Sequence, residues 1–139
     1  MTTTATSRLS ALLASGENLL RVSLRLDAVV TTANGLAYLL LAQPLEGLLG
    51  LDATVGLAIG AFLTAYGIGV AIVGRPARTN RAAASAVAIG NGAWVVASLA
   101  ALATGALGLT VVGAVWAVMQ SVTVGGFAAL QYLGLRRSR

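Results

Sequence analysis

Between Ala53 and Gly74, and again between Ala82 and Thr104, the chain runs for more than twenty residues without a charged side chain. Between these runs stands Arg75-Pro76-Ala77-Arg78-Thr79-Asn80-Arg81, with three arginines in seven residues. A helix rises about 1.5 Å per residue, so some twenty apolar residues match the roughly 30 Å hydrocarbon core of a bilayer. The pattern predicts two membrane-spanning helices joined by a short basic loop. The rest of the topology is read outward from that loop.

The whole chain agrees with a membrane setting. Of its 139 residues, 58% are hydrophobic and only 9% charged, whereas a soluble domain carries about a quarter charged residues. Mean hydropathy is +0.88. Cysteine and histidine are both absent, which removes disulfides, thiol redox chemistry and the usual zinc and haem ligands; no cofactor or metal is expected. A net charge of +5 does not point to nucleic acid, because a basic groove needs a soluble scaffold to hold it. It fits topology and anionic lipid headgroups better.

In chain order, residues 1–8 are Thr/Ser-rich and expected to be disordered. Leu9, Leu12, Leu13, Leu19 and Leu20 lie near helical spacing among Arg8, Glu17 and Arg21, so residues 1–23 read as a disordered or amphipathic interfacial segment. Residues 24–135 form the transmembrane domain, with spans at 24–42, 53–74, 82–104 and 110–133. Residues 136–139 form a basic tail. The nine basic residues, all arginine, lie before span one, between spans two and three, and after span four. The two intervening loops, 43–52 and 105–109, carry none. Because Lys and Arg are retained in the cytoplasm, the expected fold is an all-α four-transmembrane-helix bundle in the inner (plasma) membrane, with both termini cytoplasmic. Arg75, Arg78, Arg81, Arg136 and Arg137 then sit at the lipid headgroups.

Small residues recur every three or four positions in three spans: Gly56, Gly60, Thr64, Gly67, Ala71 and Gly74; Ala82 to Gly105 through Gly90 and Ala97; and Gly113, Ala117, Ser121, Gly125 and Ala129. Such ridges let helix backbones approach, which matters where lipid supplies no hydrophobic drive to associate. They serve packing within one chain, or a homo-oligomer or membrane-protein interface, and one ridge is expected to be left over. Asn34-Gly35 is echoed by Asn91-Gly92, and Gly60-Ala61 by Gly113-Ala114, a pattern that suggests a duplicated helical hairpin.

Polar groups inside the spans are the candidate site. Asp27, Thr31, Asn34 and Tyr38 share one face of span one; Trp116, Gln120, Thr123, Phe127 and Gln131 form a stripe on span four; span three adds Asn91 and Ser98. Amides are costly in hydrocarbon, so these residues should turn inward. As interhelical glue they need no further role. As a site, Asp27, Asn34, Asn91 and Gln120 line a polar cavity or path with Tyr38, Tyr66 and Trp94 as aromatic walls. Asp27, two residues after Arg25 and about one turn from the expected membrane edge, reads as an interfacial ion pair with Arg25 or the 75–81 loop. No second carboxylate or nucleophile–base pair stands near it, which disfavours catalysis.

With Gly90-Asn91-Gly92-Ala93-Trp94, four spans and a basic central loop, the chain resembles the small four-helix integral membrane proteins common in actinobacteria. In helix number and length it is similar to the DoxX-like group. Neither resemblance implies an activity. The chain departs from the small multidrug transporters, which carry a glutamate deep in the first span, and from the fluoride channels, whose antiparallel dimers conflict with its one-sided arginines. The expected function is non-enzymatic: self-association, association with a membrane partner, or binding of a lipid or small ligand. The alternative is a small oligomeric transporter or channel.

Overall fold

The computed structural model describes residues 16–76 and 78–137. The expectations for residues 1–15, including the disordered start, and for residues 138–139 lie outside it. Five helices make up the described chain: α1 (Gly16–Leu40), α2 (Ala42–Leu49), α3 (Ala53–Gly74), α4 (Arg81–Thr104) and α5 (Val111–Arg137). Three of them, α3 to α5, are long and apolar enough to cross a membrane, and α1 with α2 adds a fourth span if that bent pair counts as one. Large apolar side chains point outward all along these helices, among them Val29, Ile72, Ile89, Val96 and Val122. A water-soluble bundle buries such residues; here they form the face that lipid covers.

Two elements differ from the sequence reading. Helix α1 is already formed at Gly16, the first described residue, and its first two described turns are part of the bundle: Leu19, Leu20 and Ser23 are buried, and Leu20 lies against Gly134 of α5. Glu17 is held there because its carboxylate accepts a hydrogen bond from the Thr79 backbone amide of the basic loop. The stretch expected as the loop 43–52 holds α2, which turns 93° from α1 at Leu41. Pro44 falls in its first turn, where a missing N–H costs nothing, and Gly50 ends it in the left-handed conformation (φ 75°).

The ends of the remaining helices follow ordinary capping chemistry. Asp52 accepts from the amides of Thr54 and Val55 to start α3, and Asn80 accepts from Ala83 to start α4. Gly105 (φ 68°) stops α4. Thr110 then ties the turn before α5 to α2: its amide donates to the Leu49 carbonyl at 2.9 Å and its hydroxyl to the Leu48 carbonyl at 2.9 Å. The last orphan carbonyls of α2 are thereby satisfied.

Packing between helices is uneven. Helix α1 lies along α3 and also along α5, and α5 lies along α4, but α3 and α4 touch at few places. The α1–α3 interface is the closest, because the small ridge of span two is spent there. Gly60 sits against Gly35 and Tyr38, Gly67 against Thr32, and Gly74 against Leu24. The ridge of α4 is the one left over: Ala82, Ala86, Ala93 and Ala97 are all exposed. The echoed dipeptides of the two halves meet different partners, since Gly60 faces α1 whereas Gly113 faces the Leu49 carbonyl of α2.

The described arginines of the 75–81 loop, of α4 and of α5 lie at one end of the bundle, where that loop meets the start of α1 and the end of α5, and Arg25 of α1 reaches the same end. Arg25 caps α3 from α1, donating through Nε to the Gly74 carbonyl (2.9 Å) and through Nη2 to that of Arg75 (3.1 Å). Arg81 donates to the Leu135 carbonyl (2.9 Å). Both put positive charge at a helix C-terminus, where the peptide dipoles favour it. The acids Glu46 and Asp52 lie at the opposite end, beside α2.

Candidate ligand-binding site

Asp27 is the centre of the polar interior. It is fully buried, at 0% exposure, and lies roughly 16 Å along α1 from Gly16. Its Oδ1 accepts from the Thr31 hydroxyl at 2.7 Å. Its Oδ2 accepts from Asn91 Nδ2 at 2.7 Å and from Gln131 Nε2 at 2.8 Å. Asn91 Nδ2 donates a second bond to Gln131 Oε1 (3.0 Å), and the Tyr66 hydroxyl reaches Asn91 Oδ1 at 3.3 Å and the Val87 carbonyl at 3.0 Å. Four long helices thus contribute to one polar layer.

The interfacial ion pair expected for Asp27 is therefore corrected. Arg25 points at the end of α3, and the groups that meet the carboxylate are neutral donors. The cause is that Arg25 is turned to the end of α3, while Asp27 faces the interior between α4 and α5, where only neutral donors stand. A carboxylate so deep survives only if its lone pairs are met, and one hydroxyl and two amides meet them here.

Asn34 and Gln120 are not part of that layer. They form a second one, nearer the α2 end, in which Asn34 Nδ2 donates to Gln120 Oε1 at 3.1 Å. A third pair follows, the Trp116 indole donating to the Tyr38 hydroxyl at 2.9 Å. Tyr66 and Trp94 stand on the α3–α4 side. There Phe62 stacks on Tyr66 (centroids 5.7 Å apart) and on Trp94 (5.5 Å), so that three rings bridge the two helices that otherwise hardly touch.

Two adjoining cavities lie between the layers. One, of about 310 Å³, is bounded by Thr31 and Asn91 toward Asp27, by Asn34 and Gln120 toward the second layer, and by Phe62, Tyr66, Trp94 and Phe127 at the sides. The other, about 200 Å³, continues toward α2 past Tyr38 and Trp116. Leu63, Trp94, Ala97 and Gln120 line both. Of the candidates named from sequence, Asp27, Asn91 and Tyr66 come together in one network, Asn34 and Gln120 in a second, and Tyr38 joins Trp116. Trp94 is a wall common to both cavities.

Sequence reasoning missed the importance of Gln131 and Thr31. Both were legible as members of polar stripes, and Gln131 lies three turns from Gln120 on the same face of α5. Their convergence on Asp27 depends on how α1 and α5 are set against each other, which no spacing encodes. Of the headgroup arginines, Arg75, Arg78, Arg136 and Arg137 are exposed at the basic end, with Arg136 over the Tyr132 ring. Among the described residues, no group of three or more His, Cys, Asp or Glu side chains could hold a metal ion. The chain matches no family model, no curated protein and no solved structure.

Proposed function

We propose that this chain is a non-enzymatic inner-membrane protein, with both termini cytoplasmic, that binds a small ligand within the membrane in the cavity between α3 and α4. The observation that carries the reading is the 310 Å³ space with a polar floor and aromatic sides, placed where two neighbouring helices fail to close on one another. A bundle needing only structural glue would fill the space with side chains. The orientation rests on the arginines collected at one end. The uncovered ridge of α4 provides a second surface, for lipid, a further copy or a membrane partner.

Native mass spectrometry of protein released from nanodiscs of its host lipids tests the reading. The expected result is a stoichiometric small-molecule or lipid adduct that is lost in Ala97→Phe, which fills the space shared by the two cavities. Bare protein in both forms, or an adduct indifferent to the substitution, refutes it.

A second reading, a small transporter or channel, is favoured by the three polar layers ranged along one axis beside adjoining cavities. It predicts solute or proton flux in liposomes that falls in Asp27→Asn. Absence of flux for every ion and solute tried counts against it.

A further inference from the structure

We infer that the cavity selects a small organic cation carrying an aromatic or aliphatic body, and that Asp27 supplies the selectivity from behind the cavity wall. The inference rests on the cavity being a ligand site, as proposed above, and adds the chemistry of what enters.

The first argument is charge. No charged side chain lines the 310 Å³ cavity, yet two of its lining residues, Thr31 and Asn91, hydrogen-bond directly to the Asp27 carboxylate. The three groups bonded to that carboxylate, one hydroxyl and two amides, are neutral and can all donate to it. One side chain therefore separates the cavity from a buried negative charge, and in a medium of low dielectric that charge acts on a ligand far more strongly than it would in water. An anion is repelled, a neutral molecule gains little, and a cation is drawn in.

The second argument is the walls. Four aromatic rings line the space, and aromatic faces attract cations, most strongly once water is excluded. The third is size. An apolar cavity of about 150 Å³ holds one benzene ring, so about 310 Å³ admits a ring together with a cationic head of similar bulk. A metal ion fits less well. It requires free oxygen lone pairs as ligands, whereas the Asp27 oxygens are already taken by three donors. An organic cation needs only the field and the rings.

The test uses full-length protein in nanodiscs, titrated with benzyltrimethylammonium and with its neutral isostere neopentylbenzene. Saturable binding is followed by tryptophan fluorescence, with empty discs as the blank. The cation is expected to bind at least about tenfold more tightly than the isostere, a preference of the size cation–π contact and a buried charge supply together. Asp27→Asn should cut the preference to the few-fold that the rings alone supply, while leaving isostere binding in place, which also reports that the variant is folded. Should that variant not fold, Trp94→Leu decides, with Trp116 as its remaining reporter: cation affinity is expected to fall several-fold more than that of the isostere. Equal binding of both probes to the native protein, or a preference undiminished in folded Asp27→Asn, overturns the cation inference and leaves the cavity reading standing. Saturable binding of neither probe overturns both.

Discussion

Gly67 and Gly69 lie two residues apart on α3, and replacing each in turn by alanine isolates the packing of α1 on α3. A Cβ on Gly67 would stand 2.8 Å from the backbone nitrogen and 3.1 Å from the Cα of Thr32, whereas a Cβ on Gly69 meets nothing within 4 Å. Both substitutions gain the same helix propensity, about 1 kcal/mol in favour of alanine, so that contribution cancels in the comparison. What remains is the cost of pushing two helix backbones apart. Overpacking costs about 1–3 kcal/mol, and the upper half of that range is expected, because even if the Thr32 hydroxyl, the nearest atom, rotates aside, the Thr32 backbone behind it cannot. Spreading at Gly67 also loosens the neighbouring contacts at Gly60 and Gly74. Gly69→Ala should therefore be neutral or slightly stabilising and Gly67→Ala destabilising, the two differing by roughly 2–3 kcal/mol. Reversible unfolding in mixed SDS micelles, followed by tryptophan fluorescence, measures both. A difference below about 0.5 kcal/mol, within the ordinary error of additivity, would refute the close approach of α1 and α3.

Three further outcomes are expected. Asn91→Leu removes one of three donors from Asp27 and strands Gln131 Oε1; leaving these buried groups short of a partner should cost about 2–4 kcal/mol in the same unfolding assay, and an unchanged midpoint would count against the network. A double-mutant cycle on Asn34→Leu and Gln120→Leu should return a coupling of about 0.5–1.7 kcal/mol, the range for interhelical hydrogen bonds in membranes, and strict additivity would dissolve the second polar layer. A cysteine placed by Arg78→Cys, in a chain that has no other, should react with a membrane-impermeant maleimide in inverted vesicles but not in intact spheroplasts; the opposite labelling would reverse the orientation.

The parts of this fold written in local composition were legible, and those set by relations between helices were not. Span α3 follows from an uncharged run bounded by Asp52 and Arg75, and both ends fall where the chemistry changes. The start of α1 was misplaced because Glu17, Arg21 and Arg25 look like surface residues; each is in fact tied down, Glu17 to Thr79 and Arg25 to the end of α3. The partners of Asp27 were not legible either, since Arg25 beside it in sequence turns to α3 while the carboxylate meets Thr31, Asn91 and Gln131. Asn91 and Gln120 were recognisable as inward-facing amides, but their partners were not. Only the lateral order of the helices sends one to Asp27 and the other to Asn34, and that order is unusual in that α3 and α4, joined by a short loop, are the pair that stays apart.

The network around Asp27 also bears on how the chain is made. Its partner within α1 is Thr31, four residues on, but Asn91 is 64 residues later and Gln131 is 104. At ribosomal speeds of about 5–20 residues per second, roughly 5–20 s separate the emergence of Asp27 from that of Gln131. Until Asn91 follows, the carboxylate has one of its three donors, and until Gln131 follows it has two. The first of the described helices is thus the one whose polar contacts are completed only by the last.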